Sequence, residues 1–147
     1  MPAHCIFCGI VDGTAPSYPV AEDAATVAFL DINPANAGHV LVIPRAHSRD
    51  LLEIPADDLA ACSLMAQRIA RVLTAPTADG GLGADGVNLL NCCGAPAWQT
   101  VFHFHLHVIP RYRDTGRDQL RLPWRPDVPG DPAELSALAA QLSAAAG

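Results

Sequence analysis

The sequence predicts an α+β domain, a mainly antiparallel sheet of short strands with one long helix and a second helix at the C-terminus. Short apolar runs closed by turn residues give the strands. A 19-residue stretch with apolar positions every three or four residues gives the long helix, and an Asp-Pro start opens the last one. Taken in order, residues 5–13 are a Cys-rich opening that ends in the turn signal Asp12-Gly13, and residues 14–19 read as loop. Residues 27–30 form a buried strand stopped by Asp31-Ile32-Asn33-Pro34, and residues 39–43 form a second, closed by Pro44. A turn or short helix falls near 48–52.

Residues 56–74 carry Leu59, Cys62, Met65, Ile69, Val72 and Leu73 at helical spacing, with Pro55 ahead and Asp57 and Asp58 at the positive end of the dipole. Cys62 is read as core. Residues 76–86 are Gly-rich turns, 87–91 a strand, 92–99 a loop of small residues and 100–109 the clearest strand. Prolines loosen the chain after Pro110. Asp131 then caps a helix with Pro132 in its first position and Glu134 completing the start, and Leu135, Leu138 and Leu142 lie on one face.

A chain of 147 residues suits one domain with a real core. A net charge of −6 argues against general nucleic-acid binding. No run reaches the roughly 18 apolar residues of a membrane span, and the opening residues lack a signal sequence, so no membrane partner and a cytoplasmic location are expected. Five cysteines (Cys5, Cys8, Cys62, Cys92 and Cys93), an odd number, do not make a disulfide framework.

The segment Val101-Phe102-His103-Phe104-His105-Leu106-His107-Val108-Ile109 carries the chemistry. In a strand, His103, His105 and His107 share one face, while Phe102, Phe104, Leu106 and Val108 share the core face. At roughly 3.3 Å per residue the outer two histidines stand about 13 Å apart. One metal with bonds of about 2 Å cannot take all three, so at least one has another task. A neutral imidazole with one nitrogen pinned as a donor is a good nucleophile near neutral pH, and a flanking one can donate to a phosphoryl oxygen. Cys5-x-x-Cys8 is half of a tetrahedral zinc site or a redox pair, and no thioredoxin-like pattern surrounds it. His39 reads as a hydrogen-bonded residue behind the site and His4 as exposed tail. Arg45 and Arg111 read as solvated or interfacial, and the run from 113 to 117, with Asp114 and Asp118, as a solvated loop.

These segments resemble the histidine triad (HIT) family. Residues 103–109 match its His-φ-His-φ-His-φ-φ pattern in full, with φ apolar, and Pro110-Arg111 is a common continuation. Ala37-Gly38-His39-Val40-Leu41-Val42-Ile43-Pro44-Arg45-Ala46-His47, Phe29-Leu30-Asp31-Ile32-Asn33-Pro34 and Cys5-Ile6-Phe7-Cys8 resemble its other segments, in order. The resemblance spans about residues 4–113. It implies a HIT-like fold, a homodimer, a domain over 1–113 and a helical extension of the same unit over 114–147.

It also implies that His105 is the nucleophile, oriented by the carbonyl of His103. His107 would contact the α-phosphate and Thr100 assist the leaving group. Gln99 would belong to the phosphate loop, Asp31 would accept from the ribose, and Phe29 and Ile32 would wall a purine base. Cys5, Cys8, His47 and His103 match a structural Cys₂His₂ zinc site. Two departures stand in the loop: Cys92 occupies the usual Asn position, with Asn91 one residue early, and Trp98 replaces a glycine.

The expected activity is hydrolysis at the α-phosphate of nucleoside phosphoramidates, adenylated carriers or dinucleoside polyphosphates through a nucleotidyl-histidine. A nucleotidyltransferase or phosphorylase, a nucleotide-binding regulatory protein with weak activity, and a metalloenzyme using the triad as ligands are the alternatives.

Overall fold

The computed structural model describes residues 4–147. Helix α1 (Ile6–Asp12) is followed by β1 (Pro19–Glu22), β2 (Thr26–Leu30), β3 (Val40–Pro44), α2 (Ala56–Thr74), β4 (Gly86–Leu90), β5 (Leu106–Arg111) and α3 (Pro132–Ala146). The strands form one sheet in the order β1-β2-β3-β5-β4, with every pairing antiparallel. The α+β class, the long helix over 56–74 and the C-terminal helix stand as read from the sequence.

Alternation along the strands makes two apolar layers. Ala28, Val40, Val42, Leu106 and Val108 face α2, where Cys62, Met65, Ala66, Ile69 and Leu73 fill the core. Val27, Phe29, Leu41 and Ile43 face the other way, toward Phe7 of α1. The histidines emerge on this second face, because Leu41 pairs with both Phe29 and His107 in register. Val72, expected in the core, is 49 % exposed, since it lies off the stripe that α2 turns to the sheet.

The Cys-rich opening is helical. Cys5 caps α1 with its sulfur, and Gly13, at φ 81°, closes it in the left-handed conformation that glycine adopts without strain. Strand β1 was missed by the sequence reading because only Ala21 within it is even half-buried, so its apolar signal is faint. The strand expected over 100–109 begins six residues later, at Leu106. Ahead of it, the main chain bonds elsewhere: the Phe104 amide donates to the Ser48 carbonyl at 2.7 Å, and the Pro44 carbonyl at the end of β3 accepts from the His103 ring at 2.9 Å. Phe102 consequently leaves the core face and is 46 % exposed.

Helix α3 begins as its sequence demands, with the Asp131 carboxylate accepting from the Glu134 amide at 2.9 Å. None of its residues is buried. No helix among the described residues is long and apolar enough to cross a membrane.

Candidate active site and metal centre

The three histidines of the triad go to two different places. His103, fully buried, turns toward α1, where its Nδ1 lies 3.5 Å from Cys5 Sγ, 3.6 Å from Cys8 Sγ and 3.3 Å from His47 Nδ1. Cys8 Sγ is 3.4 Å from His47 Nδ1. A tetrahedron with metal–nitrogen bonds of about 2.05 Å and metal–sulfur bonds of about 2.3 Å has edges of roughly 3.3 Å between nitrogens and roughly 3.6 Å between nitrogen and sulfur. These four separations match those edges, and all four donor atoms lie within 4.8 Å of one another, so the donor set fits one cation. The His103 Nε2–H donates to the Pro44 carbonyl, which leaves Nδ1 as the lone-pair nitrogen a metal needs. Without a cation, burial and the neighbouring Cys5 push the Cys8 thiol up to about 11.

His105 and His107 stay together, with ring centroids 4.9 Å apart, and line a cavity of about 240 Å³. Phe29, Asp31, Ile32 and Thr100 line it too. Phe29 is held by an edge-on contact with Phe7, whose ring also meets His105 edge-on at 5.2 Å. Ile32 is the outermost wall, 75 % exposed.

Backbone groups give the two catalytic-looking imidazoles opposite polarity. The Nδ1–H of His105 donates to the His103 carbonyl at 2.7 Å, so Nε2 keeps its lone pair. For His107 the order is reversed. The Ala35 amide donates to His39 Nδ1 at 3.0 Å, so the proton of a neutral His39 resides on Nε2, which faces His107 Nδ1 at 2.9 Å. His107 therefore accepts on Nδ1 and carries its own proton on Nε2. All three rings stay neutral near pH 7. Burial lowers the His39 and His105 pKa values, and burial together with His105 and His39 takes His107 down to about 4.

Asp31, His39 and His107 also lie within metal-ligating distance of one another. A cation on His39 Nε2 would require a proton on Nδ1, directly against the Ala35 N–H, so this trio is a hydrogen-bond relay and not a metal site.

The loop between β4 and β5 is braced from within. Gln99 does not line the cavity. Its Oε1 accepts from the Gly94 amide at 2.7 Å, and its Nε2 donates to the carbonyls of Arg49 at 2.8 Å and Val101 at 3.1 Å. Asn91, one residue ahead of the pattern's asparagine, donates to the carbonyl of His105 at 3.0 Å, whereas Cys92 is buried. Trp98 is the one non-glycine residue with positive φ among the described residues, at 72°. That conformation costs a non-glycine residue on the order of 1–2 kcal/mol, which is why the pattern carries glycine there. The indole is 66 % exposed.

Both arginines near the histidine segment are held by other side chains. Arg45 bonds Glu22, and Arg111 bonds Asp118 and Asn88, so both are committed to ion pairs or side-chain bonds. Asp118, expected in a solvated loop, is buried, and it also accepts from the amides of Tyr112 and Leu120. Sequence reasoning missed the link from Ala35 through His39 to His107. The signal available was His39 at the mouth of an apolar strand antiparallel to the histidine strand.

An antiparallel sheet that sends one histidine of an alternating triad to a Cys₂His₂ cluster and two to an apolar cavity defines a histidine-triad protein. The chain belongs to the HIT family: the HIT domain model matches residues 12–114. It is similar to adenosine 5'-monophosphoramidase HNT1 of Candida albicans, 39 % identical over 109 residues covering 74 % of this chain and 71 % of that protein. Among solved structures it is similar to a HIT family protein from Bacillus anthracis (TM-score 0.82, 34 % identity, 99 % of each chain covered). It is also similar to a Zn-bound histidine triad family protein from Mycobacterium smegmatis (TM-score 0.71, 41 % identity, 96 % of each chain covered).

Proposed function

We propose that the protein hydrolyses nucleotide derivatives at the α-phosphorus, with His105 Nε2 as the nucleophile and a nucleotidyl-histidine as the intermediate. The observation that carries the reading is the pinned His105 ring. Its Nδ1–H is fixed on the His103 carbonyl, which leaves Nε2 as the lone-pair nitrogen, and the residue lines a cavity that has Asp31 and Phe29 on the same lining. The nucleoside occupies that cavity, with Asp31 accepting from the ribose and Phe29 and Ile32 bounding a purine base.

In the first step the Nε2–P bond forms and the P–N or P–O bond to the leaving group breaks. The electron pair goes to the departing atom, which takes a proton at the Thr100 hydroxyl, itself reprotonated from solvent. The Nε2–H of His107 donates to a phosphoryl oxygen as negative charge grows there, the kind of preorganised donor that lowers such barriers. In the second step water attacks phosphorus, the P–Nε2 bond returns its pair to the ring, and a proton leaves to solvent. Adenosine phosphoramidate is the first substrate to test, in keeping with the activity named for the Candida relative.

Zinc is the cation we assign to Cys5, Cys8, His47 and His103, in keeping with the Zn-bound mycobacterial relative. It would tie α1, the segment after β3 and the start of the triad together, and take no part in the chemistry. We also infer a homodimer, with residues 114–147 as part of the same unit. A 15-residue helix that buries none of its residues is marginal alone. Its Leu135, Leu138 and Leu142 are available to a second copy.

Rapid quenching after mixing with adenosine phosphoramidate labelled at phosphorus, followed by peptide mapping, tests the chemistry. Label on His105 is the expected result; label elsewhere, or turnover with none, overturns it.

A further inference from the structure

We propose that a second cleft, across Thr100 from the nucleotide cavity, is the subsite for the leaving group, and that Arg49 there reads an oxyanion carried by it. This deepens the reading above and rests on it. The cleft, about 700 Å³, is lined by Arg49, Glu53 and Phe102, borders Cys5 and His47 of the metal cluster and the adjoining His4, and shares Ile6, Thr100 and Val101 with the nucleotide cavity. Displacement at phosphorus runs in line, so the departing bond points away from His105 Nε2. With the nucleoside in one cavity and phosphorus beside Thr100, the leaving group enters the adjoining space.

Arg49 is built into that space rather than dangling over it. Its carbonyl accepts from Gln99 of the phosphate loop at 2.8 Å, and the carbonyl of the preceding Ser48 accepts from Phe104 between the histidines at 2.7 Å. Its amide donates to Glu53, and its Nε donates to buried Asp50 at 2.9 Å. The two terminal nitrogens carry no hydrogen bond among the described residues, and the side chain is 59 % exposed. One edge of the guanidinium is thus fixed on a carboxylate while its terminal nitrogens stay unpaired on a residue that lines the cleft, an arrangement that suits pairing with a carboxylate or phosphate. Phe102 supplies an apolar surface on the same lining, which accounts for a large side chain left outside both cores.

The chemistry selected is an amine or phosphate leaving group bearing an oxyanion. The oxyanion comes either from the α-carboxylate of an N-linked amino acid or from the phosphates of a dinucleoside polyphosphate. An unsubstituted phosphoramidate cannot use Arg49.

The test compares kcat/KM, on the full chain with metal bound, for an adenosine 5'-phosphoramidate of an amino acid with a free carboxylate, its methyl ester, and diadenosine tetraphosphate. The carboxylate is expected to beat the ester by about tenfold in the parent, a ratio that Arg49→Ala brings to about one and Arg49→Lys restores in part. If phosphate is the natural source, the same variant instead lowers diadenosine tetraphosphate relative to the ester by about tenfold. Ratios that do not move in either comparison overturn the subsite. Label still accumulating on His105 would show that the nucleotidyl-histidine reading survives that result. Turnover with no label on His105 for any of the three substrates would overturn the earlier reading and this one with it.

Discussion

Replacing His39 with alanine removes the ring that connects the Ala35 amide to the imidazole of His107. Two hydrogen bonds go, at 3.0 Å and 2.9 Å, and His107 Nδ1 is left beside a space where a 5 % exposed side chain used to be. Stranding a buried polar group costs about 1–3 kcal/mol. Ala35 itself is exposed, so water recovers part of its loss. The net destabilisation is about 2–3 kcal/mol, a fall in Tm of roughly 5–10 °C for a chain of this size.

The effect on chemistry has a different origin. With no donor on its Nδ1, His107 is free to carry its proton there, and rings in that tautomer offer the phosphoryl group no N–H. Deleting such a donor outright costs on the order of 100- to 1000-fold in kcat. A ring that still samples the right tautomer keeps part of this, so the loss in kcat is about ten- to a hundredfold, with KM nearly unchanged. His39→Gln, whose amide can donate to Nδ1, should recover part of the loss. The assay beside kinetics is the ¹⁵N shift of the His107 ring at pH 7: protonated Nε2 and bare Nδ1 in the parent, a mixture in the alanine variant. A parent His107 with its proton on Nδ1, or a variant whose tautomer and kcat match the parent, would refute the relay.

His105→Asn should retain the fold and nucleotide binding, lose label transfer and slow turnover by at least about 1000-fold; steady-state kinetics with phosphoramidate checks it. Because the folded pKa of His107, about 4, lies below its unfolded value near 6.5, the unfolded chain binds more protons between those limits. Stability should therefore be level above about pH 6.5 and fall as pH drops toward 4, with His39, His105 and Asp31 facing the same ring; urea midpoints against pH would show it, and a flat line would count against the burial argument. Chelation should lower Tm and expose α1 to proteolysis, while re-addition of zinc restores both. Gly38→Ala places a methyl group 2.3 Å from Leu82 Cδ1 at φ 95°, so a loss of about 3 kcal/mol is expected in equilibrium unfolding.

Much of this was legible in advance, and the failures share a cause. Helix α2 was read to its ends because its apolar stripe faces a sheet along its whole length. The start of α3 was legible because capping is local chemistry. The triad's alternation was legible from His103 onward, since Phe104 shares one core with Leu106 and Val108, although pairing with the neighbouring strands begins only at Leu106. Before that, Phe104 bonds to Ser48 and His103 to Pro44, partners more than 50 positions distant that no local pattern announces. Strand β1 and the exposed Phe102 were missed for the same reason: their placement follows from what lies beside them. The six cavity residues named from the resemblance do share one lining, but Gln99 spends its amide bracing the loop.

The early end of the strand is also what makes the site workable. Had residues 100–109 remained pleated, His103, His105 and His107 would stand in a row about 3.3 Å per residue apart, three similar rings on one surface. Release from the sheet lets His103 turn into the cysteine cluster while its carbonyl stays behind to hold the His105 ring. The same residue thus contributes a side chain to the metal centre and a main-chain acceptor to the adjacent imidazole. Loss of metal order at His103 should then reach His105 through 2.7 Å of hydrogen bond rather than through any electronic effect of the ion. His107, still within the strand and anchored through His39 to Ala35, should be spared. In metal-depleted protein, ¹⁵N shifts that broaden for His105 and stay sharp for His107 are the expected result. Equal broadening of both would mean that the two imidazoles share one support.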